Sequence, residues 1–243
     1  MVKRLRVFAG PNGSGKSTMF EIVRTEGIKM GVYCNADDYK ITINKNHSFD
    51  FDSCNIKLYK DNFLKSLKES SLFTQMQGND LLTKISFKDN KIIFATDYFV
   101  NDYFTSFLVS FILLNLIGQC EKFSYETVMS HPSKLDFIQK AKDHGYKVYL
   151  YFISLVDPKL NIGRVATRVQ LGGHDVPTDK VESRYYRSME NLLPAIRIAD
   201  KSYIFDNSYE EPKMIATVVD NEIKIFSVTV PLWFKKYVLE KLQ

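Results

Sequence analysis

Residues Gly10-Pro11-Asn12-Gly13-Ser14-Gly15-Lys16-Ser17 fit the pattern G-x-x-x-x-G-K-[ST] without a mismatch, and no other stretch constrains the fold as tightly. The pattern has structural meaning only between an apolar strand and a helix. Leu5 to Ala9 reads as a buried strand, and helical spacing runs from about Gly15 to Thr25. Glycines let such a turn wrap closely, so that successive N–H groups point at anionic oxygens. The helix that follows adds its free N–H groups and its dipole. Lys16 would bring a positive charge to the β and γ phosphates, and the Ser17 hydroxyl suits Mg²⁺. Gly10, Pro11, Asn12, Gly13, Ser14, Gly15, Lys16, Ser17 and Thr18 are therefore the expected nucleotide-binding residues, with ATP and Mg²⁺ as the expected cofactors.

The pattern continues as an α/β chain. Gly31 to Cys34 is a second short apolar run, and Phe123 to Glu126 a third. Pro132 opens a helix from Ser133 to His144, with Gly145 as its stop. Tyr146 to Ile153 favours a strand. Asp157-Pro158 caps a helix to Leu171, Gly172-Gly173 ends it, and Thr178 caps one long helix to about Ile198. Tyr203 to Phe205 is a last core strand. Residues 212–243 read as a hairpin turning at Asp220-Asn221, followed by a helix opened by Pro231. Residues 44–100, rich in Asn, Lys, Ser and Asp, read as an insertion, with a helix over Asn55 to Lys68 and a hairpin turning at Lys88-Asp89-Asn90. The expected architecture is a single α/β domain over 1–243. It is a three-layer sandwich with a mostly parallel sheet, a P-loop NTPase of nucleotide-kinase-like form carrying an inserted helical and hairpin segment. Ligands sit at the carboxyl ends of the strands in such a sheet.

Composition narrows the partners. The net charge is only +5 over 243 residues, with no long Lys/Arg run, which suits an anionic small molecule and argues against nucleic acid. Cys34, Cys54 and Cys120 are odd in number and show no C-x-x-C spacing, so a reduced cytoplasmic compartment is expected. Met1 to Phe8 reads as a basic strand rather than a signal peptide. The apolar stretch Phe107 to Ile117 is shorter than the roughly 20 residues of a spanning helix, so a buried helix is expected and no membrane partner.

A triphosphate site does not name an acceptor. Transfer to a hydroxyl needs a carboxylate that orients it and takes its proton. Asn35-Ala36-Asp37-Asp38-Tyr39-Lys40 follows the second apolar run, making Asp37 the first candidate and Asp38 the second, unless one merely caps the next helix. Glu126 and Thr127 end the third strand, where Glu126 is expected to bind substrate or hold a magnesium water. His131 reads as local structure. Arg164 and Arg168 are four apart on one helix face, and Arg184 and Arg187 three apart on the next. With Gly172-Gly173-His174 between them they suggest a lid that closes on phosphates, Arg168 and Arg184 being the leading catalytic candidates. Asp206-Asn207-Ser208 is either a base-contacting loop or a plain turn.

These pieces resemble the zeta-toxin-like P-loop kinases, and more closely their relatives described as predicted ABC-type ATPases. The matching segments are Gly10–Thr18, Asn35–Lys40, Phe123–Ser130, Gly145–Leu155, Arg164–Pro177, Arg184–Ser188 and Phe205–Ser208, in order. The resemblance implies a kinase-type α/β fold and, in zeta toxins, a UDP-N-acetylhexosamine as acceptor. It places the catalytic carboxylate on Asp37 within Asp37-Asp38-Tyr39-Lys40, and the acidic-Thr strand end on Glu126 and Thr127. It places the lid on Arg164 or Arg168 with Arg184. Ser130 stands near the family's usual Arg. No LSGGQ-like signature and no strand ending in Asp-Glu occurs. The reading is an ATP·Mg²⁺-dependent phosphotransferase acting on a small-molecule hydroxyl, such as that of a nucleotide sugar. The alternatives are an ATP hydrolase or nucleotide switch without an acceptor, a toxin held by an antitoxin-like protein, and a polynucleotide 5′-kinase.

Overall fold

A computed structural model describes residues 2–173 and 175–242. In chain order its elements begin with β1 (Arg4–Ala9), α1 (Lys16–Thr25), β2 (Val32–Cys34), α2 (Ala36–Asn46) and β3 (Ser48–Asp50). There follow α3 (Lys60–Lys68), α4 (Gly78–Lys84), β4 (Ile85–Lys88), β5 (Lys91–Phe94) and α5 (Asp102–Leu116). Next come β6 (Lys122–Thr127), α6 (Ser133–Asp143), β7 (Lys147–Ser154), α7 (Pro158–Gln170), α8 (Thr178–Glu190) and α9 (Leu192–Ile198). The chain closes with β8 (Lys201–Asp206), β9 (Lys213–Val219), β10 (Glu222–Ile225) and α10 (Leu232–Tyr237). Two compact units emerge, one formed by 1–31 with 121–243 and one by 32–120.

In the first unit the strands run in the order β10-β9-β8-β7-β1-β6. Pairing is parallel from β6 through β1 and β7 to β8, and antiparallel at β9 and β10. Leu5, Val7, Phe8 and Ala9 of β1 are all fully buried. A strand covered on both faces has no polar side to show, which is why this segment reads as an unbroken apolar run. On one face Phe8 stacks on Tyr151, Tyr151 stacks on Tyr203, and Phe20 of α1 meets Phe8 edge-on. On the other, Phe123 and Tyr125 meet Phe137 of α6, and Phe152 meets Trp233 of α10. Helices on both faces make the three layers. Parallel register puts Ala9 opposite Thr127 and Phe152, and Ser154 opposite Asp206, so four strand ends share one edge.

Two helix boundaries differ from the expectation. The long helix from Thr178 to Ile198 is two helices, α8 and α9, broken at Asn191. Pro194 explains the break: it has no N–H for the Glu190 carbonyl, and its ring crowds that oxygen. Thr178 is also not the cap. Pro177 holds that position and Thr178 is the first helical residue.

The second unit holds an antiparallel sheet in the order β3-β5-β4. It begins at Val32 and ends at Cys120, a wider span than the 44–100 that composition marks, because α2 packs on α5. The helix expected over Asn55 to Lys68 is confined to α3, preceded by a 3₁₀ turn over Phe51–Cys54. Asn90 explains this: its side-chain oxygen accepts from the Leu58 N–H, and its amide donates to the Ile56 carbonyl, holding that stretch extended. The core is aromatic, with Phe63 edge-on to Phe51, Phe87, Phe107 and Phe111. Most of α5 is buried here, as its apolar composition requires. Among the described residues no helix is long and apolar enough to cross a membrane.

Candidate active site

The glycine-rich turn leaves β1 at Ala9 and enters α1 at Lys16. Gly10 has φ +144°, and a Cβ there would lie 1.9 Å from the Ile153 carbonyl oxygen. Gly15 has φ +94°, and its Cβ would lie 2.3 Å from the Asn207 side-chain nitrogen. Both positions thus need glycine for space as well as for backbone angle. Gly10→Ala is expected to cost roughly 2–4 kcal/mol of stability through strain and overlap. Chemical denaturation measures it, and an unmoved midpoint would show that β7 yields at Ile153.

Hydrogen bonds from outside hold the turn. Asn161 of α7, fully buried, donates to the Asn12 carbonyl at 2.6 Å. Asn207, just past β8, donates its side-chain N–H to the Ser14 carbonyl at 2.9 Å, and its own carbonyl accepts from Arg164 at 2.7 Å. The Asn207 N–H donates to Ser154. Lys16 donates to the Pro11 carbonyl at 3.0 Å. Asp206-Asn207-Ser208 is therefore a brace on the turn, closed locally by Ser208 bonding to Asp206 and to the Val156 N–H.

At the adjoining strand end the Ser17 hydroxyl donates to the Glu126 carboxylate at 3.2 Å. This pairs two hard oxygen groups beside the glycine-rich turn, a donor set of the kind Mg²⁺ accepts. Ser17 would hold the ion and Glu126 one of its waters. The Thr127 backbone carbonyl accepts from Gly10, and its hydroxyl accepts from the Met129 N–H. Met129 sits at φ +55°, and Ser188 and Asn191 donate to the Val128 and Met129 carbonyls, tying α8 to the end of β6. His131 bonds Ser133 locally, as expected of a structural residue.

The arginines differ from one another. Arg164 is tied to the brace. Arg168 and Arg184 are half-buried, while Arg187 is exposed and donates to the Ser183 carbonyl one turn back. Helices α7 and α8 are closed together by Val165, Val176 and Val181. Of the expected glycine hinge, His174 lies outside the described residues. In the second unit Asn35 caps α2 by accepting from the Asp37 N–H at 2.9 Å. The Asp38 side chain reaches solvent, yet desolvation and then Asp37 hold its pKa above the usual carboxylate range.

No protein-family model matches the chain. Over 63 residues, 26% of its length, it is 33% identical to an uncharacterised protein of Haemophilus influenzae, covering 45% of that protein. Among solved structures it is similar to a chain of the AvrRxo1-ORF1:AvrRxo1-ORF2 complex with sulphate ions, at TM-score 0.56 and 16% identity, over 94% of this chain and 66% of that one. The same complex crystallised with ATP matches at TM-score 0.56 and 17% identity, over 95% and 67%. The chain shares the α/β fold of these solved chains. It spans about two thirds of the solved chains and under half of the Haemophilus protein.

Two residues that brace the turn have no readable mark in the sequence. Asn161 carries no signal, being one polar residue in an amphipathic helix. Asn207 reads as part of a loop, and nothing in Asp206-Asn207-Ser208 reveals that its amide reaches back to residue 14.

Proposed function

We propose that the chain is an ATP·Mg²⁺-dependent phosphotransferase acting on a small-molecule hydroxyl, a nucleotide sugar being the acceptor class that the family resemblance favours. The Ser17–Glu126 contact beside a preformed P-loop carries the donor half of this reading. Bound Mg²⁺ neutralises phosphate charge. Lys16 binds the terminal phosphates, and the turn's N–H groups orient them. Arg168 and Arg184 supply further positive charge, Arg184 from a helix that Ser188 ties to the strand bearing Glu126. Asn161 and Arg164 anchor α7, so closure of a lid would be confined to the tip beyond Arg168. Asp37 orients the acceptor hydroxyl and takes its proton, with Asp38 and Thr127 among the acceptor-side residues. Crystallisation of a similar fold with ATP supports the donor, and its origin in a two-protein complex supports an antitoxin-like partner.

The test is transfer of labelled γ-phosphate from ATP into a fractionated metabolite extract. One labelled metabolite, formed only with Mg²⁺ present, is the expected result. Labelled free phosphate alone would favour the hydrolase reading and remove the acceptor from the proposal.

A further inference from the structure

Resting on the nucleotide-binding reading, we infer that Asn161 and Asn207 are positioning residues that aim the phosphate-binding N–H groups of Gly13 and Gly15, with Arg164 holding Asn207 in place. The argument is one of peptide geometry. In a planar trans peptide the C=O of one residue and the N–H of the next point in opposite directions. Asn161 draws the Asn12 carbonyl toward α7, so the Gly13 N–H points away from α7. Asn207 draws the Ser14 carbonyl toward the loop after β8, so the Gly15 N–H points away from that loop. Both donors then face the concave side of the turn, where an anion sits. Glycine at 13 and 15 leaves these peptides soft, since φ +72° and φ +94° are only two of the many angles open to glycine. Two outside hydrogen bonds remove that freedom before the nucleotide arrives, and preorganisation of this kind appears as affinity.

The placement fits a brace and nothing else in the site uses it. Asn161 is fully buried and Asn207 nearly so, so neither amide competes with water. The Arg164 guanidinium bonds a backbone carbonyl rather than a carboxylate. Its geometry is fixed by that bond to Asn207.

Asn161→Leu and Asn207→Leu keep the branched shape and lose the donor. Each is expected to weaken Mg·ATP binding about tenfold, by calorimetry on the full chain without acceptor, while thermal melting stays cooperative. In the nucleotide-free ¹H–¹⁵N spectrum the Gly13 and Gly15 amide signals should shift in the same variants. If Asn161→Leu does not fold, Arg164→Gln takes its place. It should weaken Mg·ATP about three- to tenfold and shift the Gly15 signal, with Arg164→Lys partly restoring both. Folded variants that bind Mg·ATP like the wild type, with unmoved glycine signals, would overturn the inference. A wild-type chain that does not bind Mg·ATP would defeat the nucleotide reading instead, and the nucleotide-free spectra would still judge the brace.

Discussion

Replacing Lys16 with Met is expected to lower phosphate transfer from ATP about 100- to 1000-fold, the usual cost of removing one preorganised donor from a site of developing charge. Met keeps the length and apolar stem of lysine and removes only the ammonium. Lys16 is the first residue of α1, where the helix end and the glycine turn already favour an anion. Its charge is the part that backbone N–H groups cannot replace. The turn itself should largely survive, because Asn161, Asn207 and the glycines still hold it once the Lys16 bond to the Pro11 carbonyl is lost. The loss should therefore appear in the rate of labelled phosphate transfer and in the affinity for Mg·ATP, with melting temperature little changed. Lys16→Arg is expected to be poor as well, since the guanidinium fork is bulkier than the point charge the turn encloses. Transfer by Lys16→Met within twofold of the wild type would show that the turn is not the donor site.

Features encoded locally were readable in advance. The glycine turn, the Asp157-Pro158 cap and the Asp220-Asn221 turn each depend on backbone preferences of the residues themselves. The structure has Asp157 accepting from the Lys159 N–H, and both Asp220 and Asn221 at positive φ. Strand β1 was readable because burial on two faces leaves one pattern, a continuous apolar run. The break at Asn191 was readable in principle from Pro194, yet the strong amphipathic spacing on either side conceals it. What depends on distant contact was not readable. Asn161 looks like any polar residue on a helix until the fold brings Asn12 beside it, 149 positions away. The limits of the second unit were hidden for the same reason. Residues 32–43 have the composition of the core, and only the packing of α2 on α5 assigns them elsewhere.

In the proposed reaction the acceptor half would rest on Asp37, and Asp37→Asn is the variant that tests it. Loss of a positioned base is expected to slow transfer by about 100- to 10,000-fold. The local structure makes this a clean experiment. The cap of α2 is made by the Asn35 side chain and the backbone N–H of residue 37, so an amide in place of the carboxylate leaves the cap intact. Tyr39 and Cys54 hold the next turn through a hydroxyl–thiol contact at 3.3 Å, also untouched. Affinity for Mg·ATP should stay near the wild-type value, because the P-loop residues are unchanged. A drop in both transfer and ATP affinity would instead point to a role in donor binding. Asp38→Asn is the control, with an expected loss below about tenfold, the size of one hydrogen bond. The pH profile separates the two carboxylates independently. A base works only when ionised, and the Asp38 proton is held more tightly than usual by desolvation and by Asp37. If Asp38 were the base, activity would therefore fall away on the acid side at a higher pH than for an ordinary aspartate. That limb would also move down when Asp37 is made neutral. An acid limb that disappears in Asp37→Asn and persists in Asp38→Asn assigns the proton transfer to Asp37, and the reverse pattern takes it away.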